Sequence, residues 1–512
     1  MAQAVERSPS GGRNVMWSSA ERVLQTALTL VTSPLIVGWF GERTYGLLAI
    51  GLTTIGVLGF ADLGLTAAAT RELAVADGQR DDAAARGIFA TVLSVYIVLA
   101  AAVALALGLA APLLVDRVFS LPADQRADGL FVLRMAAFGL GLNLLVAPWQ
   151  AVLRATQRFD RMTQVSILTT GYATAGLLIF AHAHNLRAAV VWQLGSTVLQ
   201  WLAYAATARR LRPGWLALPG FERRWLGPLA AFAIYQLLTQ FMGSLTMHAD
   251  RLLVAAYLTT ADVTYYQVTS GLAQKIHVLI AAGASFVFPR VGELLGAQQH
   301  AAILQLYRQG TRLSLLVAGL LAAPTIAVAH LFLSVWMGQH FADAATRSLQ
   351  YATLGWGLFC ASVMPILTLL GLGRARAVTL VLSGISVLGV SLAAWWIPAL
   401  GRDGAALSLV GSMGLSLVPL VVVHRMVGGD WATLGRSALR VGATVLLAGI
   451  LARVGVPLLP ARLPAVLLGM GLAALLAGGV WLAVPQLSGE DRAPVIALLV
   501  RVRQRLTAGS RS

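Results

Sequence analysis

The sequence predicts an all-α, polytopic membrane bundle of about fourteen transmembrane helices, and three observations predict it. Of 512 residues, 58% are hydrophobic and only 12% are charged, with a mean hydropathy of +0.76. Soluble domains carry about 25% charged residues, so this chain has too few to cover its own surface in water. The apolar residues also fall in runs near the ~20 that a helix needs to cross ~30 Å of hydrocarbon. Finally, the basic residues gather in the short segments between those runs.

The runs place spans at 16–40, 46–70, 88–115, 129–153, 162–182, 187–208, 226–257, 262–289, 309–336, 347–372, 376–398, 403–424, 437–459 and 463–487. Very short connections, such as 41–44 and 373–375, make neighbouring helices antiparallel. Beyond the last span, residues 490–506 set Arg492, Arg501, Arg503 and Arg505 beside Val495, Ile496, Leu498, Leu499 and Val502. That pattern predicts an amphipathic helix lying on the membrane surface. No apolar run with a cleavage site precedes span 1, so no removable signal peptide is expected. One cysteine, Cys360, excludes an intrachain disulfide.

Charge distribution sets the expected topology. With the N-terminus inside, and with Arg187, Arg312, Arg347, Arg376, Arg440 and Arg453 near span ends counted in the adjoining loops, the tails and even-numbered loops hold 26 basic residues and the odd-numbered loops eight. The remaining four, Arg22, Arg134, Arg251 and Lys275, fall within spans. Such an excess predicts an even number of spans with both termini cytoplasmic. It also accounts for the net charge of +17 without a nucleic-acid partner. The loop 209–224, with Arg209, Arg210, Arg212, Arg223 and Arg224, separates spans 1–6 from spans 7–12. The expected organisation is a cytoplasmic tail (1–15), a six-helix lobe (16–208), a cytoplasmic linker (209–225) and a second six-helix lobe (226–424). Two further helices (437–487) and a cytoplasmic amphipathic tail (488–512) follow. A short repeat agrees with two parallel halves, since Tyr45 and Tyr266 each follow a tight outer turn near the start of a helix.

Polar residues inside spans are costly, about 2.5–3.5 kcal/mol per charge at mid-membrane, and therefore mark cavities or partners. At 3.6 residues per turn, Ser18, Arg22, Gln25, Thr29 and Thr32 share a stripe of span 1 roughly 80° wide. Gln236, Thr239, Gln240, Gly243 and Asp250 do the same on span 7, with Arg251 beside them. Two such stripes suggest the walls of an aqueous cavity, against the alternative of hydrogen bonds between packed helices. Arg22 lies about 9 Å from the inner end, within reach of headgroups by snorkelling. Lys275, the chain's one lysine, lies ~20 Å deep in span 8 beside Gln274 and His277. The candidate substrate-binding residues are Arg22, Gln25, Gln236, Gln240, Arg251 and Lys275. Asp62, Asp250 and His277 are the candidate ion-coupling groups, with structural ties between helices as their alternative.

Enzyme signatures are missing. Ile276 follows the one lysine, so no Gly-Lys-Ser/Thr phosphate loop exists. No histidine precedes a glutamate, which excludes a His-Glu-x-x-His zinc helix, and one cysteine excludes thiolate clusters. No Gly-x-Ser-x-Gly elbow is present. Asp81-Asp82 reads as a solvated pair in a charged loop. No catalytic residue, metal site or cofactor is expected, and direction must come from an ion gradient, the membrane potential or substrate turnover.

Several motifs resemble one family. Gly38-Trp39-Phe40-Gly41-Glu42-Arg43-Thr44-Tyr45-Gly46, then Ala61-Asp62-Leu63-Gly64-Leu65 and Arg71, resemble the opening of bacterial polysaccharide flippases. Asp250-Arg251-Leu252-Leu253, Tyr266, Phe288-Pro289, Leu333-Ser334-Val335-Trp336-Met337-Gly338 and Gly371-Leu372-Gly373-Arg374 continue the resemblance over roughly 14–425. That family lies within the multidrug, oligosaccharidyl-lipid and polysaccharide exporter superfamily. The resemblance implies two six-helix bundles around a central cavity plus two C-terminal helices. It implies flipping of polyprenyl-pyrophosphate-linked oligosaccharide repeat units from the cytoplasmic to the periplasmic leaflet of the bacterial inner membrane. The pathway would be surface polysaccharide biosynthesis, either lipopolysaccharide or exopolysaccharide, with membrane lipids, a polymerase and glycosyltransferases as partners. The arginine cluster of the peptidoglycan-precursor branch is not matched. A cation-coupled drug or small-solute exporter, a membrane polymerase or glycosyltransferase using Asp116, Asp124 and Asp128, and a non-transporting scaffold are the other readings.

Overall fold

The structure is a computed structural model that describes residues 11–62, 64–284, 286–426, 428 and 430–483. Among these residues every regular element is a helix. Among the described residues, nine helical stretches are long and apolar enough to cross a membrane. One of them, Ala375–Met426, contains two of the expected spans, which meet at a kink where Gly401 takes φ 60° and ψ −142°. Large apolar side chains stand outward, among them Leu109, Trp395, Leu439 and Leu475, each more than 70% exposed. In water that surface would be unstable; against lipid tails it is the expected one. The tail helix expected over 490–506 lies outside the described residues.

The chain divides into two compact units. The first comprises residues 1–271 and 379–412. It contains α1 (Gly11–Phe40), α2 (Glu42–Val57), α3 (Leu65–Gln79), α4 (Asp82–Leu113), α5 (Ala123–Ala155), α6 (Phe159–His182), α7 (Leu186–Leu211) and α8 (Arg223–Tyr257). The first half of α9 (Thr260–Ala284) also belongs to it. Its core joins Leu73, Ile88, Phe89, Tyr96, Leu153 and Trp215. The uninterrupted span expected over 46–70 is broken. After α2 the chain tightens into a 3-10 turn, Leu58–Asp62, and Gly64 adopts the left-handed φ of 70° before α3 begins. A side chain at 64 would be strained there, so the glycine fixes the break. The segment expected as a loop over 116–128 is also largely ordered: a π turn covers Leu114–Val118, α5 starts at Ala123, and Arg126 pairs with Asp116 at 2.7 Å.

The linker lies stitched to α3 and α4. Arg212 pairs with Asp77 at 2.7 Å, and the Trp215 indole donates to Asp82 Oδ1 at 2.8 Å. Arg86 donates to the Gly214 carbonyl at 3.0 Å, and the Glu222 amide donates to Thr91 Oγ1 at 3.2 Å. Neither Asp81 nor Asp82 is therefore merely solvated, since Asp81 caps α4 by accepting from the Ala84 amide at 2.8 Å.

The second unit comprises residues 272–378 and 413–512. It contains the rest of α9, then α10 (Val287–Gly296), α11 (His300–Ala327), α12 (Ala329–Met337), α13 (Gln339–Phe359) and α14 (Val363–Gly371). The long α15 (Ala375–Met413) begins here, although most of it belongs to the first unit. Helices α16 (Leu417–Met426), α17 (Trp431–Gly455) and α18 (Leu463–Ala483) complete it. Ile280, Val287, Ile303, Ala318 and Cys360 form its core. Leu316, Val441 and Trp481 tie α11, α17 and α18 together.

Candidate functional site

Helix α8 places its polar side chains along a seam with α2, α9 and α15, all within the first unit. Ser244 Oγ lies 2.9 Å from the Gly56 carbonyl and 2.7 Å from that of Val57, donating its proton to this pair. These are carbonyls at the end of α2, where the α-helix gives way to the 3-10 turn. Two residues further along α8, Thr246 Oγ1 and Ser386 Oγ are 2.5 Å apart, and the serine also reaches the Met242 carbonyl at 2.8 Å. The His248 ring rests on Gly56 so closely that a Cβ there would stand 3.1 Å from it.

Asp250 and Arg251 end the seam. Both are buried, at 9% and 6% exposure. The Tyr266 hydroxyl donates to Asp250 Oδ2 at 2.5 Å, from a side chain with no exposed surface. Adjacent positions on a helix diverge by about 100°, so Asp250 finds its partner on α9 rather than in its neighbour.

A second carboxylate sits at the break after α2. Asp62 Oδ1 accepts from the Tyr96 hydroxyl and from Thr66 Oγ1 at 2.5 Å, and the two hydroxyls are 2.7 Å apart. Two neutral hydroxyls thus close around one carboxylate. The 3-10 turn aims Asp62 inward, and Tyr96, fully buried on α4, meets it there.

In the second unit, Lys275 and His277 are half-buried on α9. The His277 ring lies 4.6 Å from Phe359 and 5.7 Å from Trp356. Aromatic walls on a histidine leave its apolar faces covered and confine its polar contacts to the ring edge.

Of the residues singled out in the sequence, Asp250 and Arg251 come together with His248 in the α8 seam. Gln240 and Gln25 are half-buried. The side chains of Arg22 and Gln236 lie outside the described residues. Asp62 belongs to its own cluster. Ser244, Ser386 and Tyr96 were missed: the first two resemble ordinary helix serines, and Tyr96 hides within an apolar run. A tyrosine in the middle of an otherwise apolar span was the available signal.

The family model described as polysaccharide biosynthesis protein matches residues 40–346, more than half of the chain. The chain belongs to this family. A putative O-antigen transporter of Shigella flexneri is 20% identical over 404 residues, which cover 77% of this chain and 93% of that protein. Among solved structures, the lipid II flippase MurJ in an inward closed conformation is similar with a TM-score of 0.74. It is 11% identical, over 91% of this chain and 98% of MurJ. An inward-facing multidrug-resistance MATE transporter of the MOP superfamily gives 0.69 at 15% identity, over 80% and 98%.

This family member is accordingly a multi-pass membrane protein with the fold of these MOP-superfamily structures. Its carboxylates Asp116 and Asp128 are engaged with Arg126 and Arg187 in ion pairs of 2.7 and 2.9 Å.

Proposed function

We propose that the protein flips polyprenyl-pyrophosphate-linked oligosaccharide repeat units from the cytoplasmic to the periplasmic leaflet by alternating access. The supporting observation is the family match over 40–346 joined to a putative O-antigen transporter along 93% of that protein's length. In this reading the lobes 16–208 and 226–424 rock about a mid-membrane site, with 209–225 as linker and 437–487 as added helices. Both tails, 1–15 and 488–512, face the cytoplasm of a bacterial cell, and the protein resides in its inner membrane. A pyrophosphate is anionic, and cationic side chains in a low-dielectric site attract it strongly. Arg22, Arg251 and Lys275 supply that charge, while Gln25, Gln236 and Gln240 bond to sugar or phosphate oxygens. Arg251, at 6% exposure, acts only if its surroundings open during the cycle. Asp62, Asp250 and His277 are the groups proposed to carry a coupling ion.

The test is the fate of lipid-linked repeat units in cells carrying Lys275→Ala or Arg251→Ala. Accumulation on the cytoplasmic leaflet at normal protein level is the expected result. Unchanged surface polysaccharide in both variants removes these residues from the mechanism.

A cation-coupled multidrug or small-solute exporter is the second reading. It is favoured by the fold shared with MATE transporters and by Asp62, whose carboxylate accepts from the neutral hydroxyls of Thr66 and Tyr96. Expression-dependent drug resistance without a polysaccharide defect would select it.

A further inference from the structure

Four segments far apart in sequence converge at one end of the first unit: the turn before α2, the start of α5, the turn before α9 and the kink of α15. Thr264 Oγ1 donates to the Glu42 carbonyl at 2.5 Å, and the Tyr265 hydroxyl donates to Glu42 Oε2 at 2.5 Å. The Arg402 guanidinium lies 4.8 Å over the Tyr265 ring and pairs with Asp262. Thr260 Oγ1 donates to Gln125 Oε1 at 3.0 Å. Beneath these bonds α2 and α9 touch backbone to backbone, since a Cβ on Gly46 would stand 1.9 Å from the Thr260 carbonyl oxygen.

Two features distinguish this cluster from ordinary helix packing. Its bonds from Glu42 and Gln125 run to residues 260–265, so they join the half of the chain before the linker to the half after it. Tyr265 is the hub, with its hydroxyl on Glu42 and its ring under Arg402. While Tyr265 is 5% exposed, the ion pair beside it is polar and only partly enclosed, Asp262 and Arg402 retaining 22% and 26% of their side-chain exposure. Such contacts exchange for water at small net cost, unlike a seam of interlocked apolar side chains. Four odd-numbered connections, all assigned to one membrane face by the count of basic residues, are the ones that meet.

We propose that Glu42, Asp262, Tyr265 and Arg402 form a reversible latch that shuts the periplasmic end of the transporter and must part for substrate to leave. This rests on the transport reading and names the residues that gate it. Gly46 and Thr260 form the sealed floor below the latch. The ring of Tyr265 couples its two bonds, because moving it to release Glu42 also withdraws it from Arg402.

Thiol labelling of the full-length protein in membranes tests this, with Cys360→Ser as background and Thr260→Cys as reporter. Thr260 is 5% exposed, so a membrane-impermeant maleimide should label it slowly from the periplasmic face. Adding Glu42→Gln, Tyr265→Phe or Arg402→Gln should speed labelling at least several-fold. The charge exchange Asp262→Arg with Arg402→Asp should return the rate towards that of the parent. Equal rates in the parent and all three single variants would overturn the latch. So would an exchange variant that labels as fast as Arg402→Gln, or labelling confined to the cytoplasmic face. Tyr265→Phe removes one oxygen only and keeps the test valid should a charge variant fail to accumulate. Labelling requires no substrate, so its outcome is independent of the lipid-linked sugar assay that tests the flippase reading.

Discussion

Tyr266 donates its hydroxyl to Asp250 across the turn that joins α8 to α9, at 2.5 Å and with both side chains buried. A carboxylate enclosed this way depends on its donor. Removing one partner of a buried hydrogen bond costs about 1–3 kcal/mol, because the other group is left desolvated. Tyr266→Phe should therefore lower the melting temperature in detergent. Asp250→Asn, which keeps an acceptor for the tyrosine, should lower it less. Equal melting of Tyr266→Phe and the parent would show that the bond contributes nothing.

Gly46 predicts a steric effect. Alanine there would drive a methyl group into the Thr260 carbonyl, with a gap of 1.9 Å where contact needs well over 3 Å. Neither backbone can yield without moving a helix, and overpacking of this kind costs about 1–3 kcal/mol. Gly46→Ala should reduce thermal stability, and Gly46→Val should reduce it further. A variant series with unchanged melting would contradict the close approach.

Trp215 predicts a local effect. It is 1% exposed and anchors the linker in the core beside Leu73 and Phe89. Truncating a buried tryptophan costs about 3–5 kcal/mol, here concentrated on the linker and the tips of α3 and α4. Limited proteolysis of Trp215→Ala should cut within 213–222 faster than in the parent. Trp215→Phe, which refills most of the volume, should fall between the two.

Ser244 predicts a smaller one. Its loss leaves the Gly56 and Val57 carbonyls without their side-chain donor. Ser244→Ala should cost about 0.5–1.5 kcal/mol and raise amide hydrogen exchange over 58–62. Exchange that is unaffected there would mean the turn is held by α2 alone.

The membrane architecture was legible in the sequence because span length is imposed by bilayer thickness and apolar runs record it directly. The break at 58–64 was not. Its glycine stands in Asp62-Leu63-Gly64, which was read as a motif within one continuous span, and the stabilising Ser244 arrives from 188 residues away. The sequence singles out Asp250 as an intramembrane charge, yet its partner Tyr266 stands out there only in a short repeat and a family motif. Spacing along one helix cannot report which residue faces it from the next. Asp82 failed for the same reason, since its bond to Trp215 spans 133 residues. Glu42 and Arg402, drawn into one cluster by Tyr265, lie on opposite sides of the linker and share no local pattern.

The linker is sewn to the helices beneath it from Arg212 to Glu222, one residue before α8 begins. A strap fastened along its length has no slack to give. Any swing of α8 must then act as torque on α4, or be absorbed by bending within the first turns of α8. On the transport reading, the covalent joint between the halves would work as an axle rather than a rope.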